Sequence, residues 1–529
     1  MSISDAFHIY DTTLRDGAQQ EGLNLSVHDK LTIARHLDDL GVGFIEGGWP
    51  GANPKDTEFF RLAQSELRLK NATFVAFGAT RRAGIKAADD AQLRALVDSG
   101  APVITLVAKS HDRHVDLALK TTLDENLAMI RDSIQFLRSQ GRRVFLDAEH
   151  FFDGYRSNSS YALEVVRTSA EAGADVVALC DTNGGMLPDE LSDVVHEVLG
   201  KSSARLGIHC HNDTGCAIAN SLAAVAAGVT HVQGTLNGYG ERTGNADLVS
   251  IIANLQLKKD QQVLPKGKLE EAFRISHAVA EVTNVAPSAR QPYVGISAFA
   301  HKAGLHASAI KVDPTLYQHE DPELVGNDMR MLVSDMAGRA SIELKSQELG
   351  IDLGKDKEVV ARVVERVKSM EARGYTFEAA DASFELLLRE EVAGKRPNFF
   401  SLESWETTVD QNVDGSVSSR ASVVIKARGE VIQATGSGNG PVNAIDTALR
   451  KGLERIYPEL SRLELTDYKV RILEGRLGTG AVTRVLVETS DGMGEWSTVG
   501  VHENVIAASA MALEDAVTYG LLRQGQLPE

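Results

Sequence analysis

Over the first 260 or so residues the chain repeats one phrase, in which a short β-branched run gives way to a polar loop and then to a stretch of helical period. The pattern predicts strands at 7–13, 43–48, 73–80, 103–110, 143–151, 176–182, 205–211 and 231–237. Helices follow them, among others at 27–40, 124–139, 160–172, 188–199 and 217–227. Four helical stretches close on a glycine just before the next strand, at Gly41, Gly100, Gly173 and Gly228, where a left-handed residue is wanted. Strands and helices alternating in this way predict a parallel sheet. Eight such units in about 250 residues fit a closed (β/α)8 barrel of the TIM type better than an open doubly wound sheet.

Past the barrel, expected to occupy 1–264, the character changes twice. Residues 265–403 read as a mostly helical linking region with turn-rich breaks at Ala286-Pro287-Ser288, Asp313-Pro314 and Asp321-Pro322. Residues 404–529 bring back alternating strands, such as Ser422–Ala427 and Val482–Glu488. Gly436 through Leu453 and Gly500 through Val517 align at an offset of 64, each a Gly-led turn feeding an Ala-rich helix. This predicts an α+β domain built from a duplicated ββα-type module, suited to ligand sensing or dimerisation.

Composition narrows the function. At 529 residues, about three domains are expected. Apolar residues at 43% and charged residues at 24% are ordinary for a globular chain. No apolar run is expected to approach the ~20 residues of a membrane span. The start, Met1-Ser2-Ile3-Ser4-Asp5, lacks the basic and apolar regions of a secretory signal, so a cytoplasmic enzyme is expected. A net charge of −18 argues against nucleic acid or an anionic membrane as a partner. Cys180, Cys210 and Cys216 offer no disulfide framework, and Cys210 reads as packing.

The chemistry is carried by Ile208-His209-Cys210-His211-Asn212-Asp213, where strand alternation turns two imidazoles toward one face. A carboxylate completes the set from Ile9-Tyr-Asp-Thr-Thr-Leu-Arg15-Asp16-Gly17, a strand running into a loop. His209, His211 and Asp16 form a two-nitrogen, one-oxygen face for a divalent cation that keeps positions open for substrate. Barrel active sites form at the C-terminal strand ends. Arg15 and Asp16, Glu46, Glu149, Asp181-Thr182-Asn183, His209, His211 and Asn245 all fall there. A 2-oxo acid suits such a cation, because its carboxylate and ketone oxygens chelate together. Arg15 would stabilise the oxygen charge that develops when a carbon nucleophile attacks, Thr182 would donate to the substrate carboxylate, and Glu149 would order water or substrate.

These motifs, Asp11-Thr-Thr-Leu-Arg-Asp-Gly17, His209-Cys-His-Asn-Asp213 and Asn237-Gly-Tyr-Gly-Glu-Arg-Thr-Gly-Asn245, resemble those of the aldol- and Claisen-type metallo-barrels that include the 2-isopropylmalate, homocitrate and citramalate synthases. The resemblance covers essentially the whole chain. Glu46-Gly-Gly-Trp-Pro-Gly-Ala-Asn-Pro-Lys-Asp56 is most similar to the citramalate synthase branch, which joins acetyl-CoA to pyruvate. The resemblance implies Arg15, Asp16, Glu149, Thr182, His209, His211 and Asn245 in the barrel site, Asn245 among the metal ligands, and His306 and Tyr317 reaching in from the linking region. His306 is then the candidate base for the acetyl methyl. It further implies a homodimer and an amino-acid effector, isoleucine for a citramalate product, bound by the C-terminal domain. The ligand set accommodates Mg, Mn, Zn or Co. Two departures stand out: Ala18-Gln19-Gln20-Glu21 where most members carry Glu directly after Gly17, and Trp49 where Phe is usual.

Plainer readings stand beside these. A lone His-x-His is often two strand histidines, and only the other rim residues raise it to a metal site. His111 and His114 suit a solvated loop as well as a substrate or CoA contact. Glu46 fits a structural partner of Arg15 better than a catalyst. Gly436-Ser-Gly-Asn-Gly440 lacks the Gly-Lys-Ser/Thr ending of a phosphate loop and reads as a turn touching a small molecule. The competing functions are 2-isopropylmalate or homocitrate synthesis, an acyl-CoA lyase, a non-haem iron oxygenase and a non-catalytic amino-acid sensor.

Overall fold

A computed structural model describes residues 6–353, 357–473 and 480–528. They form two compact units, Met1–Phe299 with Glu320–Asp328, and Ala300–His319 with Met329–Glu529.

In the first unit β1 (His8–Asp11), β2 (Phe44–Glu46), β3 (Thr73–Ala79), β4 (Val103–Lys109), β5 (Arg143–Glu149), β6 (Val176–Asp181), β7 (Leu206–Cys210) and β8 (His231–Gly234) make a closed parallel barrel. β1 closes the ring, pairing Tyr10 with Phe44 on one side and Ile9 with Val232 on the other. Outside lie α1 (Val27–Leu40), α2 (Pro54–Glu66), α3 (Ala91–Asp98), α4 (Leu123–Ser139), α5 (Phe151–Ala172), α6 (Pro188–Lys201), α7 (Ala217–Ala227), α8 (Leu248–Ala253) and α9 (Ala272–Thr283). Local chemistry fixes their ends. Helix α1 starts on a reciprocal Ser26–Asp29 capping box and stops at Gly41, whose φ of 88° a side chain would resist. The other three predicted glycines also have positive φ. Helix α5 begins nine residues before its expected start because Phe151–Ser159 lacks a clean apolar stripe, and its backbone breaks at Asn158.

Successive strand residues face opposite ways, so the barrel carries two cores. Ile9, Ile45, Ala76, Ile104, Leu146 and Cys210 belong to the large core that includes the helix side chains, which places the Cys210 thiol in packing as expected. Phe44, Val75, Val103, Phe145, Val176 and Tyr10 fill the interior. Among those rings, His8 Nδ1 and His231 Nδ1 meet at 3.0 Å, so one donates and the other accepts. Burial above all, then the charges of His8, Arg205 and Arg143, push the His231 pKa well below its ordinary value. An unfolded histidine titrates near 6.5, so this group's contribution is intact above about pH 6.5 and is lost as pH falls below it, at roughly 1.4 kcal/mol per pH unit. We expect the wild type to lose more of its urea-unfolding midpoint than His231→Asn does between pH 7.5 and 5.5. An equal loss in the variant would remove the assignment.

The second unit holds α10 (Gly304–Ile310), α11 (Arg339–Glu348), α12 (Lys357–Ala372) and α13 (Asp381–Ala393), followed by two like modules. In the first, β9 (Ser401–Gln411), β10 (Val417–Ala427) and β11 (Glu430–Gly438) form an antiparallel sheet under α14 (Pro441–Leu453). In the second, β12 (Glu464–Ile472), β13 (Thr483–Ser490) and β14 (Glu495–His502) lie under α15 (Val505–Arg523). The repeat is therefore βββα, with one more strand than the expected ββα. Gly436 and Gly500 do not lead turns but lie in the third strands. A Cβ at Gly436 would strike the Ala444 and Ala448 backbone, and at Gly500 that of Ala508 and Ala512, so each glycine lets its Ala-rich helix lie directly on the sheet. Likewise Gly436–Gly438 end strand β11 rather than form the expected turn. Helix α15 is long and apolar enough by composition to cross a membrane, contrary to the sequence expectation. Ala508, Ala512, Leu513, Ala516, Val517 and Leu521 explain this by entering the core of the module.

Candidate metal centre

Strand β1 stops at Asp11, whose carboxylate accepts from the Thr13 N–H at 2.8 Å and the Thr13 hydroxyl at 2.9 Å. Thr13 Oγ1 in turn accepts from Leu236 N at 2.8 Å, tying the loop after β1 to the loop after β8. Burial pushes the Asp11 pKa up to about 7. The loop so held presents Arg15 and Asp16 at the C-terminal mouth.

There Asp16 Oδ2 lies 3.3 Å from His209 Nε2 and 3.9 Å from His211 Nε2, and the two Nε2 atoms are 3.3 Å apart. Each gap is shorter than two metal–ligand bonds of about 2.1 Å laid end to end, so one cation reaches all three atoms. The donor chemistry fits as well. Gln233 gives its Nε2–H to Asp147 Oδ1 at 2.7 Å, which turns its Oε1 to His209 Nδ1 at 2.9 Å. Nδ1 therefore carries a hydrogen, so Nε2 offers its lone pair to a cation in the neutral ring and donates to Asp16 in the protonated ring. Burial opposes charge on Asp16, but Arg15 and the His209 hydrogen bond outweigh it and hold the carboxyl far below its usual range. His211 is pushed down to about 4 by burial and by His209, and so is neutral at pH 7. For His209 burial also lowers the pKa, yet the hydrogen bond and charge of Asp16 raise it overall: the spot draws positive charge. His211 Nδ1 and Asn245 Oδ1 are buried with no hydrogen-bond partner among the described residues. Asn245 bridges His211 through the backbone, and its Nδ2 donates to Tyr239 O at 3.0 Å.

Arg15 stands beside the triad. Its Nε donates to Glu46 Oε1 at 2.6 Å, its Nη1 reaches Asp16 Oδ2 at 3.3 Å, and its Cζ lies 3.9 Å over the Phe77 ring. Glu46 also accepts from Thr12 Oγ1 at 2.6 Å and from the Tyr10 hydroxyl. With both oxygens engaged in a fully buried site, Glu46 is a structural partner. Thr182 Oγ1 accepts from His150 N at 2.8 Å, leaving its proton for a ligand. Glu149 pairs with Lys109. Arg15, Asp16, Glu149, Thr182, His209 and His211 all line one cavity of about 270 Å³.

His306 and Tyr317 belong to the second unit, where their rings stack at 4.0 Å. His111 pairs with Asp112 at 2.9 Å and stacks on His114, which meets His150 at 4.1 Å. Sequence reasoning missed Gln233, Asp147, Lys109 and Arg242. Gln233 sits opposite His209 in the register of β7 and β8. Arg242 pairs with Asp213 at 2.8 Å and donates to Thr182 O at 2.9 Å, joining three rim loops.

A closed barrel that gathers two imidazoles, a carboxylate and a guanidinium at its C-terminal mouth defines a barrel enzyme equipped to hold a cation next to a developing oxyanion. Comparison with known proteins makes the class specific. Residues 6–279 match the HMGL-like family, 293–375 the homocitrate synthase post-HMGL domain-like family, and 378–521 the LeuA allosteric (dimerisation) domain. The chain is 69% identical over 526 residues to an (R)-citramalate synthase of Streptomyces coelicolor, covering 99% of this chain and 98% of the relative. It is 47% identical to an (R)-citramalate synthase of Aquifex aeolicus over 98% of this chain and 99% of that one. Identity to a 2-isopropylmalate synthase of Methanocaldococcus jannaschii is 32%, over 98% and 95%. The chain belongs to the HMGL-like family, within its group of 2-isopropylmalate, homocitrate and citramalate synthases, and is a condensing enzyme of the acyltransferase type.

Proposed function

We propose that the chain condenses acetyl-CoA with pyruvate, giving (R)-citramalate and CoA, on a route to isoleucine. The observation that carries this reading is the Asp16–His209–His211 triad with Arg15 at its side. Asp16, His209, His211 and Asn245 hold one divalent ion, Mg, Mn, Zn or Co. Such an ion polarises the ketone of a 2-oxo acid that chelates it. Thr182 donates its hydroxyl to the acid's carboxylate, and Glu149, oriented by Lys109, fixes substrate or water. His306, stacked on Tyr317, takes a proton from the acetyl methyl. The resulting carbon attacks the ketone carbon, and the two C=O electrons move onto oxygen, where the Arg15 guanidinium meets the charge until a proton arrives. Water then cleaves the thioester and releases the thiol.

In this reading residues 1–264 carry the catalytic barrel, 265–403 link, and 404–529 dimerise and bind isoleucine as a feedback effector. The match to the LeuA allosteric (dimerisation) domain supports a homodimer and regulation. Three unbridged cysteines support a reducing, cytoplasmic setting.

The test is thiol release by the full chain from acetyl-CoA with pyruvate, 2-oxoisovalerate or 2-oxoglutarate, before and after chelation, with isoleucine titrated in. We expect kcat/KM for pyruvate to exceed the others by about 100-fold, chelation to stop turnover, one of the four ions to restore it, and isoleucine to inhibit. A preference for 2-oxoisovalerate or 2-oxoglutarate would transfer the chain to the 2-isopropylmalate or homocitrate branch.

A further inference from the structure

The loop from β2 to α2, Glu46-Gly-Gly-Trp-Pro-Gly-Ala-Asn-Pro-Lys-Asp56, is clamped from behind. Asp56 Oδ2 accepts from Trp49 N at 2.9 Å while Asp56 Oδ1 pairs with Lys30, whose Nζ also donates to Gly47 O at 3.1 Å. Lys30 and Asp56 are both buried, so the Trp49 backbone is fixed by a charge pair shielded from water. The indole meets Phe77 edge-on, centroids 5.3 Å apart at 80°, and the face of Phe77 carries Arg15.

Trp49 lines two chambers. One is the cavity of about 270 Å³ with the metal triad. The other, about 480 Å³, extends over Ala79, Ala83, Leu119 and Met129, with Arg81 and Lys109 also on its lining. Trp49, Val107 and Glu149 line both. Glu149 is a carboxylate paired with Lys109 and Val107 is short, so Trp49 is the largest apolar side chain that the two cavities share. Its Nε1–H is buried without an acceptor among the described residues, which leaves a donor for a bound ligand's oxygen.

We propose that Trp49 is the partition that sets which 2-oxo acid the site accepts. The inference rests on the proposed condensation and deepens it. The carboxylate and ketone of every 2-oxo acid are alike and are met by the same groups, Arg15 and Thr182. What differs is the alkyl group on the ketone carbon. With Trp49 in place that group has the small chamber alone. With the indole removed, the space behind it opens and a longer chain fits.

The experiment measures kcat/KM of the full-length wild type, Trp49→Phe and Trp49→Ala with acetyl-CoA and pyruvate, 2-oxobutyrate or 2-oxoisovalerate. The ratio for the larger acids over pyruvate is expected to rise about tenfold or more in Trp49→Ala, mainly through KM for the larger acid, and by less in Trp49→Phe. Should far-UV circular dichroism show the alanine variant unfolded, the phenylalanine variant decides. Ratios equal to wild type in a folded variant would overturn the partition while the condensation stood. A wild type that releases no thiol with any 2-oxo acid would remove the condensation, and the partition with it.

Discussion

Asp16→Asn is expected to lower kcat/KM by about 10³-fold and to abolish tight binding of the divalent ion. Asp16 supplies the sole carboxylate of the triad, and its Oδ2 is the atom that both imidazoles and Arg15 face. An amide retains the shape but removes the negative charge, so the two histidines would have to hold a dication beside a guanidinium that Glu46 alone offsets. Arg15 keeps Glu46, so the loop itself should remain folded. Two measurements separate ligand loss from misfolding. Titration calorimetry with Mn, Mg, Zn or Co should give clear binding to the wild type and none to the variant. In thermal unfolding, added metal should raise the wild-type midpoint and leave that of the variant unmoved, since a ligand stabilises only the state that binds it. A variant that binds the ion within tenfold of wild type and turns over would show that Asp16 is not a ligand.

The parts of this molecule legible in its sequence are those that depend on near neighbours. Strand and helix periodicity placed all eight barrel strands, and the rule that sites form at C-terminal strand ends brought Asp16, His209 and His211 together although nearly 200 residues separate them. What escaped depends on register across strands. Gln233 and Asp147 are inward-facing polar residues on β8 and β5, where a linear reading registers only interruptions of an apolar run. Their meaning arises when β8 sets Gln233 opposite His209. Lys109 falls at the end of the predicted strand 103–110, where nothing in the sequence singles it out, and it is the partner that orients Glu149. In the C-terminal modules the third strand was hidden because Glu430–Gly438 contains the glycines that signal a turn, and their real cause is a helix pressed onto the sheet. In sequence Trp49 is one position of a branch-like segment and a departure from the usual Phe, whereas in space it lines two cavities.

Arg15→Lys should show that the guanidinium serves chemistry rather than charge balance. Three separate contacts hold Arg15: Nε on Glu46 at 2.6 Å, Nη1 on Asp16 at 3.3 Å, and the guanidinium plane on Phe77 at 3.9 Å. Burial opposes its charge, but Glu46 and Asp16 more than compensate and hold its pKa above the ordinary arginine range, so the group stays cationic throughout turnover. A lysine keeps the charge and loses the fork. A single ammonium cannot bind Glu46, meet Asp16 and lie flat on Phe77 at once, and drawn to either carboxylate it leaves the point where the ketone oxygen gains charge. Because Asp16, His209 and His211 are untouched and the positive charge is kept, metal affinity should fall by about 10- to 100-fold at most, where Asp16→Asn abolishes tight binding. The loss should appear in kcat, by about 10²- to 10³-fold, with KM for the 2-oxo acid changed far less, the pattern of an interaction made in the transition state and not in the ground state. If Arg15→Lys instead raised KM alone, Arg15 would be a binding group for the substrate carboxylate, and stabilisation of the oxygen charge would have to come from the ion and its ligands without it.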